Sequence, residues 1–396
     1  MVKLPIYLDY NSTTPCDPRV VEAMLPYFTQ KFGNAASRSH VFGWEGEEAV
    51  SQAREQVAAL IGAEPEEIVF TSGATEGDNL ALKGVFELYR SKGNHIITVA
   101  TEHKAVLDSC HHIERLGGEV TFLPVDPEGL INLDQLEAAI RPTTILIAVM
   151  YANNEIGVIQ PIQAISNIAR KHGVLFFTDA TQAVGKVPVD VQKDGIDLLT
   201  LSAHKLYGPK GIGALYVRRR NPRVRLAAQM DGGGHEKGMR SGTLNVPAIV
   251  GLGKACALCA AEMKKDAEHV SALRDQLETG LLAIEGARVN GSREPGKRLP
   301  QTTNISFSHI DGQALLAGLG KDIALSSGSA CTSASMEPSY VLKALGLGDD
   351  LAHSSLRLGL GRWTTKEEVD YAIRRISDEV ARLREKSLLW EMHKNI

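Results

Sequence analysis

Between residues 64 and 217, short runs of β-branched and aromatic residues alternate with stretches of helical periodicity, and this alternation constrains the fold more than any other feature of the chain. The runs at 67–71, 95–99, 120–124, 145–150, 174–178, 197–201 and 213–217 read as strands. Several are apolar at successive positions, as expected of strands covered on both faces. Helical patterns at 75–90, 104–116, 133–140 and 162–172 lie between them, the last stopped by Gly173. Such alternation implies an α/β fold, with a mainly parallel central sheet flanked by helices. Ligand sites in these sheets form at the carboxyl ends of strands, which is where the polar motifs of this chain fall.

At 396 residues the chain exceeds the size at which a single core stops growing, so two domains are expected. An Ala-rich helical stretch at 246–274 bridges to the second. Beyond it, segments at 299–307 and 311–319, a small-residue stretch at 326–335 and a helix at 365–389 suggest a smaller α+β unit. A net charge of −4 excludes a dominant nucleic-acid or membrane surface. The run Arg218-Arg219-Arg220 reads either as a local basic patch or as a solvated turn after a strand. Five cysteines, few and odd in number, fit a reduced intracellular protein. The N-terminus shows no secretory leader, and no window has roughly 18 uninterrupted apolar residues. The expectation is a soluble, cytoplasmic protein without a membrane or nucleic-acid partner.

Three motifs bear on chemistry. Phe70-Thr71-Ser72-Gly73-Ala74-Thr75-Glu76 runs from a strand into a helix, whose unpaired N–H groups and partial positive charge suit a phosphate. Simple helix capping explains the same residues. Phe177-Thr178-Asp179-Ala180-Thr181-Gln182 puts an acid at the end of an apolar strand, where it needs a partner. A protonated pyridine nitrogen is one such partner, and a cap on the next segment is the plainer alternative. Leu201-Ser202-Ala203-His204-Lys205 ends a buried strand with a lysine ahead of a Gly/Pro turn. Poor solvation there lowers a lysine's proton affinity and favours Schiff-base formation; a salt-bridged structural lysine is the other reading.

Residues 326–335 are all small, with no bulky apolar anchor, so Cys331 is expected on a mobile, accessible loop. That setting differs from the buried one expected of Cys16 and Cys110. Cys256 and Cys259 have the spacing of a redox or zinc pair, but they stand in an Ala-rich helical stretch with no second pair. Helix packing is the expectation there, and no metal site is expected.

Taken together these motifs resemble a fold-type I pyridoxal-phosphate enzyme of the class V aminotransferase group, and more narrowly the cysteine desulfurases of the IscS/NifS type. The resemblance runs end to end, through Tyr7-Leu8-Asp9-Tyr10, Thr101-Glu102-His103, Asn153-Asn154-Glu155, 239–243, 326–333 and Arg357. It implies that Lys205 holds pyridoxal 5'-phosphate as a Schiff base, that Asp179 pairs with the ring nitrogen, that Gln182 bonds the ring hydroxyl and that His103 stacks on the ring. Ala74, Thr75, Ser202 and His204 would hold the phosphate with Thr243 from a neighbouring subunit, while Asn154 and Arg357 would meet the substrate carboxylate. Cys331 would take sulfur from L-cysteine as a persulfide, leaving L-alanine. A homodimer, an iron–sulfur scaffold protein and acceptors for tRNA thiolation are the implied partners. Residues 15–262 would form the large cofactor domain, and residues 1–14 with 263–396 the small domain carrying the Cys331 loop. Two departures from the family pattern are Ala203 and Gly359, and the chain ends at Ile396 where many relatives continue. A selenocysteine lyase, a transaminase or a non-catalytic sulfur-assembly partner of the same fold are the rival readings.

Overall fold

A computed structural model describes residues 2–327 and 337–394. The alternating region forms a seven-stranded sheet in the order Ile68–Thr71, Gly213–Val217, Leu198–Ser202, Leu175–Asp179, Thr144–Ala148, His95–Val99, Glu119–Leu123. Neighbours are parallel except where Gly213–Val217 runs against both Ile68–Thr71 and Leu198–Ser202. Successive residues of each strand enter opposite cores, because side chains alternate across a sheet. Ile97, Ile147, Phe176 and Leu199 face one core with the helices Val41–Ile61, Ile162–Lys171 and the first half of Val246–Leu282. Ile96, Leu146, Phe177 and Leu198 face the other with Ala74–Tyr89 and Lys104–Arg115. Burial on both faces is why these strands lack the apolar–polar alternation of a one-sided sheet. The edge strand Glu119–Leu123 is the exception, exposed at Glu119 and half-buried through Phe122.

A second, antiparallel sheet joins Ser326–Ser327, Ser355–Gly359, Thr302–Phe307 and Ala287–Val289. Its separate core gathers Ile305, Phe307, Leu356 and Leu358 with Leu315 and Leu319 of Gly312–Leu319 and Val369 and Ile376 of Lys366–Arg384. Ile6 and Leu8 belong to it too, since Ile6–Tyr7 pairs in parallel with Ile323–Ala324.

Three elements differ from the sequence expectation. The bridging helix runs two turns further, over Val246–Leu282, because Val270, Leu273, Leu277 and Leu281 continue its apolar face into the core of the antiparallel sheet. An 18-residue window in it has mean hydropathy 1.5, enough by length and composition to cross a membrane, but Ile249, Leu252, Ala255, Cys256 and Cys259 pack in the first core. The C-terminal helix stops at Arg384, and a separate helix, Leu388–Lys394, follows a break. Third, the 21-residue helix Val41–Ile61 escaped the sequence reading. It crosses Val246–Leu282 so closely that a Cβ on Gly253 would lie 2.6 Å from the Ala53 Cα. Small residues make that crossing and leave only a weak apolar stripe to read.

Candidate active site

The carboxyl ends of Ile68–Thr71, Leu175–Asp179 and Leu198–Ser202 open into a cavity of about 650 Å³. It brings together Ala74, Thr75, His103, Asn154, Asp179, Gln182, Ser202, His204, Lys205 and Arg357, all expected from the sequence. Thr243 does not line it: the residue is exposed, just ahead of Val246–Leu282. Cys331 lies outside the described residues.

Helix Ala74–Tyr89 starts at Gly73, which has φ 156° and no side chain to cap the first turn. A Cβ on Gly73 would meet nothing nearer than Ser202 Oγ at 3.9 Å, so the space over the helix N-terminus is open. Behind it the packing is tight, with a Cβ on Gly213 falling 2.8 Å from the Gly73 Cα. The result is an uncapped helix N-terminus beside Ser202, His204, Lys205 and Lys210, a donor set suited to a phosphate. Glu76 shields the rim of this region: it accepts from Ser72 N at 2.7 Å and from Arg240 Nε at 2.7 Å. Although burial opposes its ionisation, Arg240 and Ser72 hold the Glu76 carboxyl below its ordinary range.

Lys205 Nζ donates to the carbonyls of Asn11 and Ser12, each at 2.6 Å. Gln182 Nε2 donates to the same Asn11 carbonyl at 2.9 Å. His204 Nδ1 lies 3.1 Å from Thr13 Oγ1, and burial together with the charges of Lys205, Lys210 and Lys186 pushes its ring down to about 4, so it is neutral at neutral pH. His103 caps Lys104–Arg115, its Nδ1 accepting from Ala105 N at 3.2 Å. A neutral ring that accepts at Nδ1 carries its proton on Nε2. Asp179, buried, accepts from Thr181 N at 2.9 Å through Oδ1.

Arg357 is 2 % exposed. Its Nη2 donates to Asp9 Oδ1 at 2.9 Å and Ser12 Oγ at 2.5 Å, and its Nη1 to the Asn154 carbonyl at 3.3 Å. Among the described residues, Arg357 Nε and Asn154 Oδ1 are buried with no hydrogen-bond partner. Such orphans in a cavity wall point to a ligand that completes them. Gly359 leaves no room for a side chain here, since a Cβ would lie 2.3 Å from Asn11 Oδ1.

Several site residues escaped the sequence reading. Asn11 and Ser12 act through backbone carbonyls, which carry no residue signature. Asp78 is fully buried, its ligand atoms within 4.8 Å of those of His103 and Asp179, and neither of its carboxyl oxygens has a hydrogen-bond partner among the described residues. Burial and the neighbouring Asp179 push it well above the ordinary carboxylate range. One signal was available, because Asp78 shares the i, i+4, i+7 face with Leu82 and Val85, a core stripe on which an acid is out of place.

The remaining motifs resolve simply. Cys256 and Cys259 are buried in Val246–Leu282, and burial raises both thiols, that of Cys259 to about 11, as helix packing implies. Arg218 belongs to neither a basic patch nor a solvated turn: it is buried, 3.1 Å from Asp197, and donates to the carbonyls of Val191 and Ile196. Arg219 and Arg220 are exposed.

Residues 6–372 match the aminotransferase class-V family. A protein named cysteine desulfurase IscS from Anaeromyxobacter dehalogenans (strain 2CP-C) is 59% identical over 395 residues, spanning 100% of this chain and 97% of its own. One of the same name from Aeromonas salmonicida (strain A449) is 59% identical over 396 residues, spanning 100% and 97%. Among solved structures, a NifS-like protein superposes with a TM-score of 0.88 at 37% identity, covering 96% of this chain and 100% of that one. The structure of SspA in complex with cysteine gives a TM-score of 0.79 at 39% identity, covering 91% and 100%. A cavity built around a strand-end lysine, a buried acid and an open helix N-terminus, on a chain similar to these proteins along its full length, identifies it as a member of the class-V aminotransferase family and, within that family, of the cysteine desulfurases of the IscS type.

Proposed function

We propose that the chain is a cysteine desulfurase that binds pyridoxal 5'-phosphate at Lys205 and moves the sulfur of L-cysteine onto Cys331, releasing L-alanine. The observation that carries this reading is the convergence of the Lys205 amine, the Asp179 carboxylate and the uncapped N-terminus of Ala74–Tyr89 on one cavity. The residues present fit the cofactor. The open helix N-terminus with Ser202, His204, Ala74 and Thr75 would take the phosphate, Asp179 the ring nitrogen, Gln182 the ring hydroxyl and His103 one ring face. When bound, the cofactor withdraws electron density from the substrate Cα and so weakens the Cα–H and the Cβ–S bonds.

The chain's own groups supply the rest. Arg357 and Asn154 receive the substrate carboxylate, an arginine fork matching it bidentately. Lys205 Nζ carries the α-proton away and returns it. His103, with its proton on Nε2, faces the substrate thiol as an acid–base group. The Cys331 thiolate attacks the substrate sulfur: an S–S bond forms, the Cβ–S bond breaks, and its electron pair leaves with the three-carbon fragment, which is protonated to alanine.

The working unit on this reading is a homodimer in which Thr243 of the partner subunit completes the phosphate site. The exposed Phe28, Phe32, Phe42 and Trp44 suit a face covered by a second copy. The separation of the antiparallel sheet's core from the cores on the two faces of the large sheet supports a large domain at 15–262 and a small one at 1–14 with 263–396. Persulfide sulfur would pass, in the cytoplasm, to an iron–sulfur scaffold protein and to acceptors that thiolate tRNA. Mass spectrometry of Cys331 after incubation with L-cysteine tests the proposal: one added sulfur is expected, and Cys331→Ala is expected to keep the cofactor while forming no persulfide. Normal release of alanine and sulfide by that variant would overturn the assignment.

A further inference from the structure

Lys186 has no part in the chemistry just described, yet it stands one side chain away from the cavity. Its Nζ donates to Gln182 Oε1 at 2.9 Å. The Asn11 carbonyl can only accept, so the end of the Gln182 amide that meets it must be the NH2, and the end that meets Lys186 the oxygen. The NH2 end then faces the other way, where Nε2 gives one hydrogen to the Asn11 carbonyl at 2.9 Å. One N–H remains for whatever fills the cavity that Gln182 lines. The Asn11 carbonyl also accepts from Lys205 Nζ at 2.6 Å, so a single chain of hydrogen bonds runs Lys186–Gln182–Asn11–Lys205.

We infer that Lys186 is a positioning residue for the cofactor: it holds the Gln182 amide so that Nε2, a donor, meets the ring hydroxyl oxygen. The inference rests on the proposed use of pyridoxal phosphate and goes beyond it, because Lys186 touches neither the cofactor nor the substrate. Its position is an unfavourable one for a charge. Burial and the nearby Lys205 and Arg357 cations push its ammonium down to about 7, with Cys259 opposing them. Lys186 is half-buried, and its hydrogen bond goes to Gln182, the side chain that the proposed function sets against the ring hydroxyl. Without Lys186, Oε1 is left unmatched and the single bond from Nε2 to the Asn11 carbonyl is left to hold the amide.

The test compares wild type, Lys186→Met, Lys186→Ala and Lys186→Arg, each also in a Gln182→Ala background. Pyridoxal phosphate is the probe, and the readouts are its dissociation constant and the pH at which its visible absorption band changes when bound. Lys186→Met and Lys186→Ala are expected to weaken cofactor binding about tenfold, the scale of one lost hydrogen bond to a charged acceptor. They are also expected to raise the band's transition by about one pH unit. Lys186→Arg, which keeps a donor, is expected to restore most of both. In the Gln182→Ala background none of the Lys186 changes should add a further effect. Equal losses in both backgrounds would overturn the inference, since the lysine would then act through its charge or through the fold. Binding and band unchanged in Lys186→Met and Lys186→Ala would also overturn it, leaving the cofactor assignment intact. A wild-type chain that takes up no pyridoxal phosphate overturns both.

Discussion

Glu155 sits beside the site without lining it, and burial sets its behaviour. Its carboxyl rises from 4.5 to about 7, against the pull of Ser339, whose hydroxyl donates to it at 2.5 Å, and of Arg357 and His103. The folded protein holds this proton more tightly than the unfolded chain does. Stability contributed by the site is therefore present at low pH and lost as pH rises from about 4.5 to about 7, after which it levels off. The loss is on the order of 3 kcal/mol. Glu155→Gln, which keeps an acceptor for Ser339, is expected to remove that loss, so its urea midpoint relative to wild type should rise between pH 5 and pH 8. An unchanged pH slope would contradict the raised proton affinity. Lys205→Ala is expected to leave the fold intact and abolish borohydride trapping of the cofactor, read by intact-protein mass. At this scale the sequence disclosed the side chains with chemistry of their own, such as Lys205, Asp179 and Arg357. It concealed Asn11 and Ser12, which act through carbonyls, and it showed Asp78 only as an acid out of place on a core stripe, since its nearness to His103 and Asp179 comes from residues far apart in sequence.

Elements were readable where burial imposed a uniform pattern and unreadable where backbone proximity did. The strand Leu198–Ser202 lies within one residue of its expected place, since a strand covered on both faces is simply apolar. The helix Val41–Ile61 was missed because its contact with Val246–Leu282 depends on small residues rather than on a wide stripe. Two substitutions probe such contacts. Gly253→Val drives side-chain atoms into Ala53, whose Cα would lie 2.6 Å from the new Cβ. It is expected to cost about 1–3 kcal/mol in urea unfolding, the usual range for overpacking. Gly213→Ala puts a Cβ 2.8 Å from the Gly73 Cα and so displaces the start of Ala74–Tyr89. Its effect should fall on phosphate recognition, with cofactor affinity down about tenfold or more if the helix N-terminus gives way by the cost of one overpacked methyl group. Cofactor affinity equal to wild type would mean that the cradle tolerates the shift.

On the scale of the whole molecule, two cores share one helix. The first half of Val246–Leu282 is buried against the large sheet and the second half against the small one, so neither core is complete without it. The sequence implied both units and the bridge between them, but not that the bridge would be 37 residues long or would serve both cores. Ligand linkage predicts that saturating cofactor raises stability, by about 4 kcal/mol at a thousandfold excess over its dissociation constant. Scanning calorimetry of the stripped and reconstituted protein measures this, and an unmoved transition would place the cofactor outside the folded core.

The bonds of Lys205 to the carbonyls of residues 11 and 12, together with the wall supplied by Arg357, have a consequence for biosynthesis. Asn11 and Ser12 leave the ribosome long before the lysine they will hold, and the arginine that seals the pocket comes some 150 residues later still. No nascent fragment short of strand Ser355–Gly359 contains a finished pocket. On the proposed function, the pocket that takes the coenzyme closes only when a segment made early meets segments made much later.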